Sequence, residues 1–348
     1  MSEIHEISRI DSLTRLLARY PRQINRSHES DAELVRIPGM SGILACTTDV
    51  IVEEIEAGLY RDPNLIGWMA VTVNASDLAA VGADPIGILI TEALPDDLGA
   101  AARDAMQAGV RDACAAYGMY VLGGDTSRAR SMAVGGCAIG VIPEGEQPLT
   151  RLGCRPGDGL FATGLLGTGS AYAFLQLSRR AGIRDACTFR PRARVAEGRI
   201  LRRFASACID TSDGVLAACG ELARLNRIGI EIEGETERHL EPCARQIAVR
   251  AGLPAWTMLA GPHGEFELLF TVPRESVDGM MDAAAAHGWR PLRLGRVTGK
   301  RAIVVPGPHA VPCRIDTTRL RNIEFGGQDG FDRSVKEVLS CASPAVAS

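Results

Sequence analysis

Residues 66–85 read IGWMAVTVNASDLAAVGADP, and this stretch decides the architecture of the first half of the chain. Trp68, Val71, Ala75 and Leu78 recur at three- and four-residue spacing, which predicts a helix over Asn64 to Val81. Gly82 supplies the stop and Pro85 follows it, so Ile86 to Thr91, an apolar run, reads as a strand. A helix turning directly into a strand places an α layer against a sheet. Asp77 is the anomaly. It falls mid-helix beside Ala79 and Ala80, where aspartate has poor propensity, so its carboxylate is needed for something other than helix formation.

Working outward, Gly42 to Thr48 reads as a short strand entering an acidic turn. Asp96 to Tyr117 reads as a helix closed by Gly118. Tyr120 to Leu122 leads into Gly123-Gly124-Asp125-Thr126, and Met132 to Ile142 is a Gly-interrupted strand pattern. Pro143 to Pro156 (PEGEQPLTRLGCRP) carries dense turn chemistry and marks a domain boundary. Beyond it, Asp158 to Thr163, Ile228 to Ile232, Leu268 to Val272 and Ala302 to Val305 read as strands. Ser170 to Arg180 and Val215 to Leu225 read as helices. The expected class is therefore α/β, or α+β layers. The expected units are an N-terminal domain over 1–145, a C-terminal α/β domain over 146–335 and a disordered tail over 336–348. An amphipathic helix is expected at the N-terminus, ending before Pro21.

Composition narrows the function. With 38 basic and 42 acidic side chains among 348 residues the net charge is −4, so no basic excess exists for a nucleic-acid backbone or an anionic membrane. Apolar stretches are too short and Gly-rich to span a bilayer, and the N-terminus does not read as a secretion signal. The ten cysteines form no CxxC pair and sit among apolar neighbours, the pattern of free, mostly buried thiols in a reducing compartment, hence a cytoplasmic protein. Six histidines without paired spacing argue against a histidine metal site. No GxxxxGK[ST] loop occurs, which excludes a P-loop kinase. Gly167 and Gly169 before a helix read as a tight turn and not as a dinucleotide fingerprint.

What remains is a series of aspartates among small and hydroxyl residues: Asp31, Asp49, Asp77, Asp125, Asp210 and Asp213, flanked by Ser30, Thr47, Thr48, Ser76, Thr126, Ser212 and Gly214. Taken singly, each also fits a cap or turn former. Together they suit hard divalent ions such as Mg²⁺, which take oxygen ligands and bridge to substrate phosphates. Carboxylates gathered in one cleft would otherwise repel one another.

The motifs TTDVIVEE (47–54), IGWMAVTVNASDLAAVGADP, GGDTS (123–127), LTRLGCRPGD (149–158), RPRARV (190–195) and IDTSDGV (209–215) resemble, in order and spacing, those of the thiamine-monophosphate kinase family. The resemblance covers roughly residues 25 to 335. It implies the two-domain architecture shared with aminoimidazole ribonucleotide synthetase and a homodimer whose N-terminal sheets close into a barrel. It also implies Mg²⁺ bound by Asp31, Asp49, Asp77, Asp210 and Asp213, with Asp77, Asp210 and Asp213 in catalytic positions. ATP would contact Thr48, Asp125, Arg151 and Ser212, and the partners are ATP and a small-molecule acceptor. Arg151 suits phosphate because guanidinium binds its oxygens in two-point geometry.

Departures from the family pattern cluster at the acceptor end. Glu54 stands where the family has glycine, Glu56 where it has histidine, and Ala218 where a further aspartate is usual. The family's GGEDYELLF segment is GPHGEFELLF here, placing Glu265 near a substrate-contacting position, and Phe331 in Gly330-Phe331-Asp332 suits stacking on a flat heterocycle. A carboxylate at Glu56 alters the charge facing a phosphorylated acceptor, which predicts altered acceptor specificity. The readings that follow are a kinase acting on thiamine phosphate or a related small molecule, an ATP-dependent ligase or cyclase that activates an oxygen by phosphorylation, and a non-catalytic nucleotide-binding dimer.

Overall fold

The computed structural model describes residues 10, 12, 13, 16, 19–178, 187–261, 263–307, 311–321, 323 and 327–345. The predicted N-terminal helix lies largely outside them. The first half runs β1 (Glu33–Val35), β2 (Ile43–Ile51), α1 (Glu53–Glu56), α2 (Pro63–Ala80), β3 (Asp84–Leu94), α3 (Ala100–Tyr117), β4 (Tyr120–Arg128) and β5 (Ala133–Ile142). The second half runs β6 (Gly159–Ala162), α4 (Thr168–Leu177), α5 (Val195–Leu201), β7 (Ala207–Asp210), α6 (Val215–Asn226), β8 (Gly229–Ile232), α7 (Pro242–Ala251) and β9 (Leu268–Val272). It closes with α8 (Val277–Ala286), β10 (Leu292–Thr298), β11 (Ile303–Pro306), β12 (Pro312–Ile315), α9 (Thr317–Arg321), α10 (Gly327–Ser340) and β13 (Ala342–Pro344).

Helix α2 is the organising element. Asp62 caps it by accepting from the Asn64 amide at 3.0 Å, and Pro63 sits at the first helical position. Nearly all of it is buried, because it is packed on several sides at once and not laid on one surface. Helix α3 approaches so closely that a Cβ on Gly67 would sit 1.9 Å from the Met106 carbonyl oxygen. A Cβ on Gly109 would sit 2.0 Å from that of Asn64. Only glycine permits this approach.

The first sheet has the order β1-β2-β5-β3-β4, antiparallel except for the parallel β3/β4 pair. The second has the order β13-β12-β11-β8-β10-β6-β9-β7, with β8 and β11 parallel. The chain changes sheet between Ile142 and Gly159, the interval that contains the turn-rich Pro143 to Pro156 segment. Helix α2 packs on β2 and β5 of the first sheet and also on β7 of the second. That shared helix brings residues far apart in sequence to one place. No helix among the described residues is long and apolar enough to cross a membrane.

Three expectations need correction. Asp49 lies in a strand and not a turn, because the β-branched run through Ile51 keeps β2 in register with β5 from Ile43↔Ile142 to Ile51↔Val134. Gly123 to Thr126 likewise lie within β4, paired along β3. The tail expected to be disordered is ordered through residue 345: α10 buries Val338 and packs Val335 and Leu339 on the core, and β13 pairs with β12. Small polar side chains there do not prevent strand pairing, which uses the backbone.

Candidate active site

Two α2 side chains one residue apart link it to the two sheets. The Thr47 hydroxyl of β2 donates to Asp77 Oδ2 at 2.5 Å, and the Ser76 hydroxyl donates to Asp210 Oδ2, at the end of β7, at 2.6 Å. Asn74 fixes the helix to β2: its Oδ1 accepts from the Asp49 amide at 3.0 Å and its Nδ2 donates to the Asp49 carbonyl at 3.2 Å. The turn after β7 folds back on Asp210, whose Oδ1 accepts from the Ser212 hydroxyl at 2.8 Å and amide at 3.3 Å. Asp31 completes the group. Arg151 donates to both of its oxygens, from Nη2 to Oδ1 at 2.9 Å and from Nε to Oδ2 at 3.3 Å. One carboxylate oxygen each from Asp31, Asp77 and Asp210 lies within 4.8 Å of the others.

Electrostatically the cluster is under-compensated. Burial, then the charges of Asp49, Asp210 and Asp31, hold the Asp77 carboxyl well above the usual carboxylate range, with the Thr47 hydrogen bond working the other way. Burial and the charge of Asp31 push Asp210 up to about 6, against the hydrogen bonds from Ser76 and Ser212. Arg151 is kept charged by Asp31 although burial opposes it. Oxygen donors only, one guanidinium and raised carboxyls form a donor set suited to a hard divalent cation.

Beside the cluster, three loops meet backbone to backbone. A Cβ on Gly264 would sit 1.4 Å from the Thr211 carbonyl oxygen, so glycine is required where this loop touches the one carrying Ser212. Glu265 is buried, accepting from the Gly167 amide at 2.6 Å and the Thr211 hydroxyl at 3.3 Å. Burial raises its carboxyl to about 8. Phe266 adopts φ +61, a conformation that side chains with a Cβ rarely take. Glu267 accepts from Thr163 and Arg194. Under the same loop, His263 Nε2 lies 3.0 Å from the Tyr60 hydroxyl, and burial pushes its imidazole down to about 3. It packs against the rings of Tyr60, Phe189 and Phe266.

The expected site residues are thus partly assembled. Asp31, Asp77, Asp210, Arg151 and Ser212 meet. Asp49 lies close enough for its charge to act on Asp77. Asp213 is exposed just past the cluster, and its charge acts on Glu54. Thr48 donates to the Gly136 carbonyl at 2.9 Å. Asp125 is not brought in: along the line Asp49↔Gly136↔Ile90↔Gly124 it sits three strand spacings away, about 14 Å. Glu56 is exposed on α1, while Glu265 faces loop backbone in the interior. Phe331 is buried edge-on against Phe174 and presents no open face for stacking. Sequence reasoning missed Asn74, Glu267 and Arg194. Only the three-residue spacing of Asn74 and Asp77, which puts both on one helical face, was a usable signal.

Comparison with known proteins gives this geometry a context. Residues 29–142 match the family model "AIR synthase related protein, N-terminal domain". Thiamine-monophosphate kinase of Escherichia coli (strain K12) is 32% identical over 307 residues, covering 81% of this chain and 89% of the relative. The solved complex of AaThiL with AMPPCP and TMP superposes with a TM-score of 0.72 at 26% identity, covering 88% of this chain and 94% of that one. A HypE–HypF complex reaches a TM-score of 0.72 at 16% identity over 88% of this chain and 98% of that one, a likeness of fold alone. At the identity and coverage shared with the Escherichia coli kinase, the chain belongs to the thiamine-monophosphate kinase family, whose members are ATP-dependent kinases.

Proposed function

We propose that this chain transfers the γ-phosphoryl group of ATP to thiamine phosphate or a related small acceptor, with Mg²⁺ held by Asp31, Asp77 and Asp210 and assisted by Asp49 and Asp213. The observation that carries this reading is the convergence of three carboxylates from separate segments within 4.8 Å, two of them raised by burial and then by neighbouring carboxylate charge. When bound, divalent ions supply charge neutralisation for the carboxylates and the triphosphate. Arg151, now occupied by Asp31, offers its guanidinium to phosphate oxygens. Ser212 and Thr48 offer hydroxyls. Helix α6 starts at Gly214 without a side-chain cap, and its dipole favours negative charge at that end. No nucleophilic side chain is required, because direct transfer rests on positioning and charge.

The test is product analysis with ATP, Mg²⁺ and thiamine phosphate, expecting one ADP per thiamine diphosphate. Turnover unaffected by Asp77→Asn would sink the assignment of the cluster. Glu54 favours a second reading, altered acceptor choice. Its carboxyl is raised by burial and by the charges of Glu53 and Asp213, on the short helix that also carries the exposed Glu56. That concentration of acid disfavours a phosphorylated acceptor and suits a cationic one. Glu56→His is then expected to change acceptor preference more than ATP affinity; equal loss of both would count against it.

A homodimer fits the same picture. Val50, Ile86 and Leu89 are exposed on the first sheet, and β4 is exposed along its whole length, with Tyr120 at 74%. An open apolar edge of this kind marks an interface. A second copy packed there would let Asp125 reach the acidic cluster of its partner.

A further inference from the structure

A cavity of about 700 Å³ opens between the C-terminal end of α6, strands β11 and β12 and helix α9, and shares no lining residue with the acidic cluster. Its walls carry Arg224, Arg227, Arg301, Arg314 and Arg321, with Asp316 as the one carboxylate. The volume falls in the range of roughly 300–1,000 Å³ typical of small-molecule sites.

The arginines fall into two sets. Arg224 and Arg321 are held by the buried Glu221: Arg224 donates from Nη2 at 2.6 Å and Nε at 3.0 Å, and Arg321 from Nη2 at 2.7 Å. Burial alone would raise the Glu221 carboxyl, but hydrogen bonds and charge from these two arginines bring it down to about 2. A fixed anion therefore holds two guanidinium groups in place, and Arg321, which engages it through Nη2, keeps further N–H donors. Arg227, Arg301 and Arg314 are exposed and have no acidic partner among the described residues. Asp316 is engaged in accepting from the Arg319 amide at 3.1 Å. Among the described residues, Arg227, Arg301 and Arg314 thus add three positive charges that no carboxylate pairs with, in one cavity of a chain whose net charge is −4.

We propose that this cavity is a second ligand site, which binds a small molecule carrying a pyrophosphate group without a metal ion. Guanidinium forks match phosphate oxygens in two-point geometry, and an unneutralised charge of three suits a di- or triphosphate better than a single phosphate. The proposal does not rest on the kinase reading, since metal-free acidic residues repel the same ligand.

The experiment is calorimetric titration of the full-length protein with inorganic pyrophosphate, in buffer freed of divalent ions by a chelating resin. Saturable binding at one equivalent per chain is expected, weakening steeply with salt. The Arg301→Ala/Arg314→Ala double variant should lose affinity by about tenfold or more, and Asp77→Asn should leave it unchanged. Arg227 sits at φ +57, where asparagine is tolerated, so Arg227→Asn probes the same wall with little risk to folding and should also weaken binding. Absence of saturable binding, equal affinity in parent and arginine variants, or loss of binding in Asp77→Asn would each overturn the proposal.

Discussion

Replacing Asp210 with asparagine should make the metal-free protein more stable and the enzyme inactive. Asp210 is 4% exposed, and its carboxyl moves from an ordinary 3.8 to about 6 in the folded chain. A carboxyl raised on folding favours the folded state while protonated. That contribution is whole below the unfolded value of 3.8 and is lost as pH rises through about 6. A rise of roughly two pK units corresponds to about 3 kcal/mol, undiminished by solvent screening because the group is buried. Asparagine cannot ionise, and it keeps the local bonds: its oxygen accepts from Ser212 and its amide donates to the Ser76 hydroxyl. Urea denaturation in resin-treated buffer should therefore find Asp210→Asn more stable than the parent by up to about 3 kcal/mol near pH 8, with the gap closing near pH 4. Millimolar Mg²⁺ should then stabilise the parent and hardly affect the variant. A variant less stable than its parent at pH 8 without metal, or a gap independent of pH, would refute the electrostatic account of the site.

Gly109→Ala, which in an ordinary helix stabilises, should here destabilise by roughly 1–3 kcal/mol, because its methyl would meet the Asn64 carbonyl; a raised melting temperature would contradict the packing. Leu89→Lys should convert the proposed dimer to a monomer in sedimentation velocity without loss of helical circular dichroism, and an unchanged sedimentation coefficient would exclude this face as the interface. Cys243, whose Sγ lies 2.6 Å from that of Cys187, is brought down to about 7 by that contact, so it should be the thiol alkylated fastest near neutral pH. Cys187→Ala should move the half-maximal pH of that reaction upward; uniform labelling of the cysteines by peptide mass spectrometry would oppose this.

The thiol pair illustrates where sequence reading stops. The cysteines are expected to be mostly buried, but only half of the ten are, and a pairing across 56 positions leaves no spacing signal. Phe331 shows the same limit: an aromatic in a suggestive motif is buried against Phe174, a fact of packing that no local pattern records.

Periodicity and propensity are local properties, so the residues alone gave the alternation of elements, a helix over 64–81 that the fold places at 63–80, and the anomaly of an aspartate within it. The sequence also determined the family, since several short motifs kept their order along the chain. The tertiary structure decided which aspartates meet. One helix wedged between two sheets carries Ser76 and Asp77 side by side, joining Asp210 and Thr47 across 163 positions, while Asp125 on the same sheet stays three strands away. Contacts of that range depend on strand order and helix docking, and neither is written in any single stretch of residues.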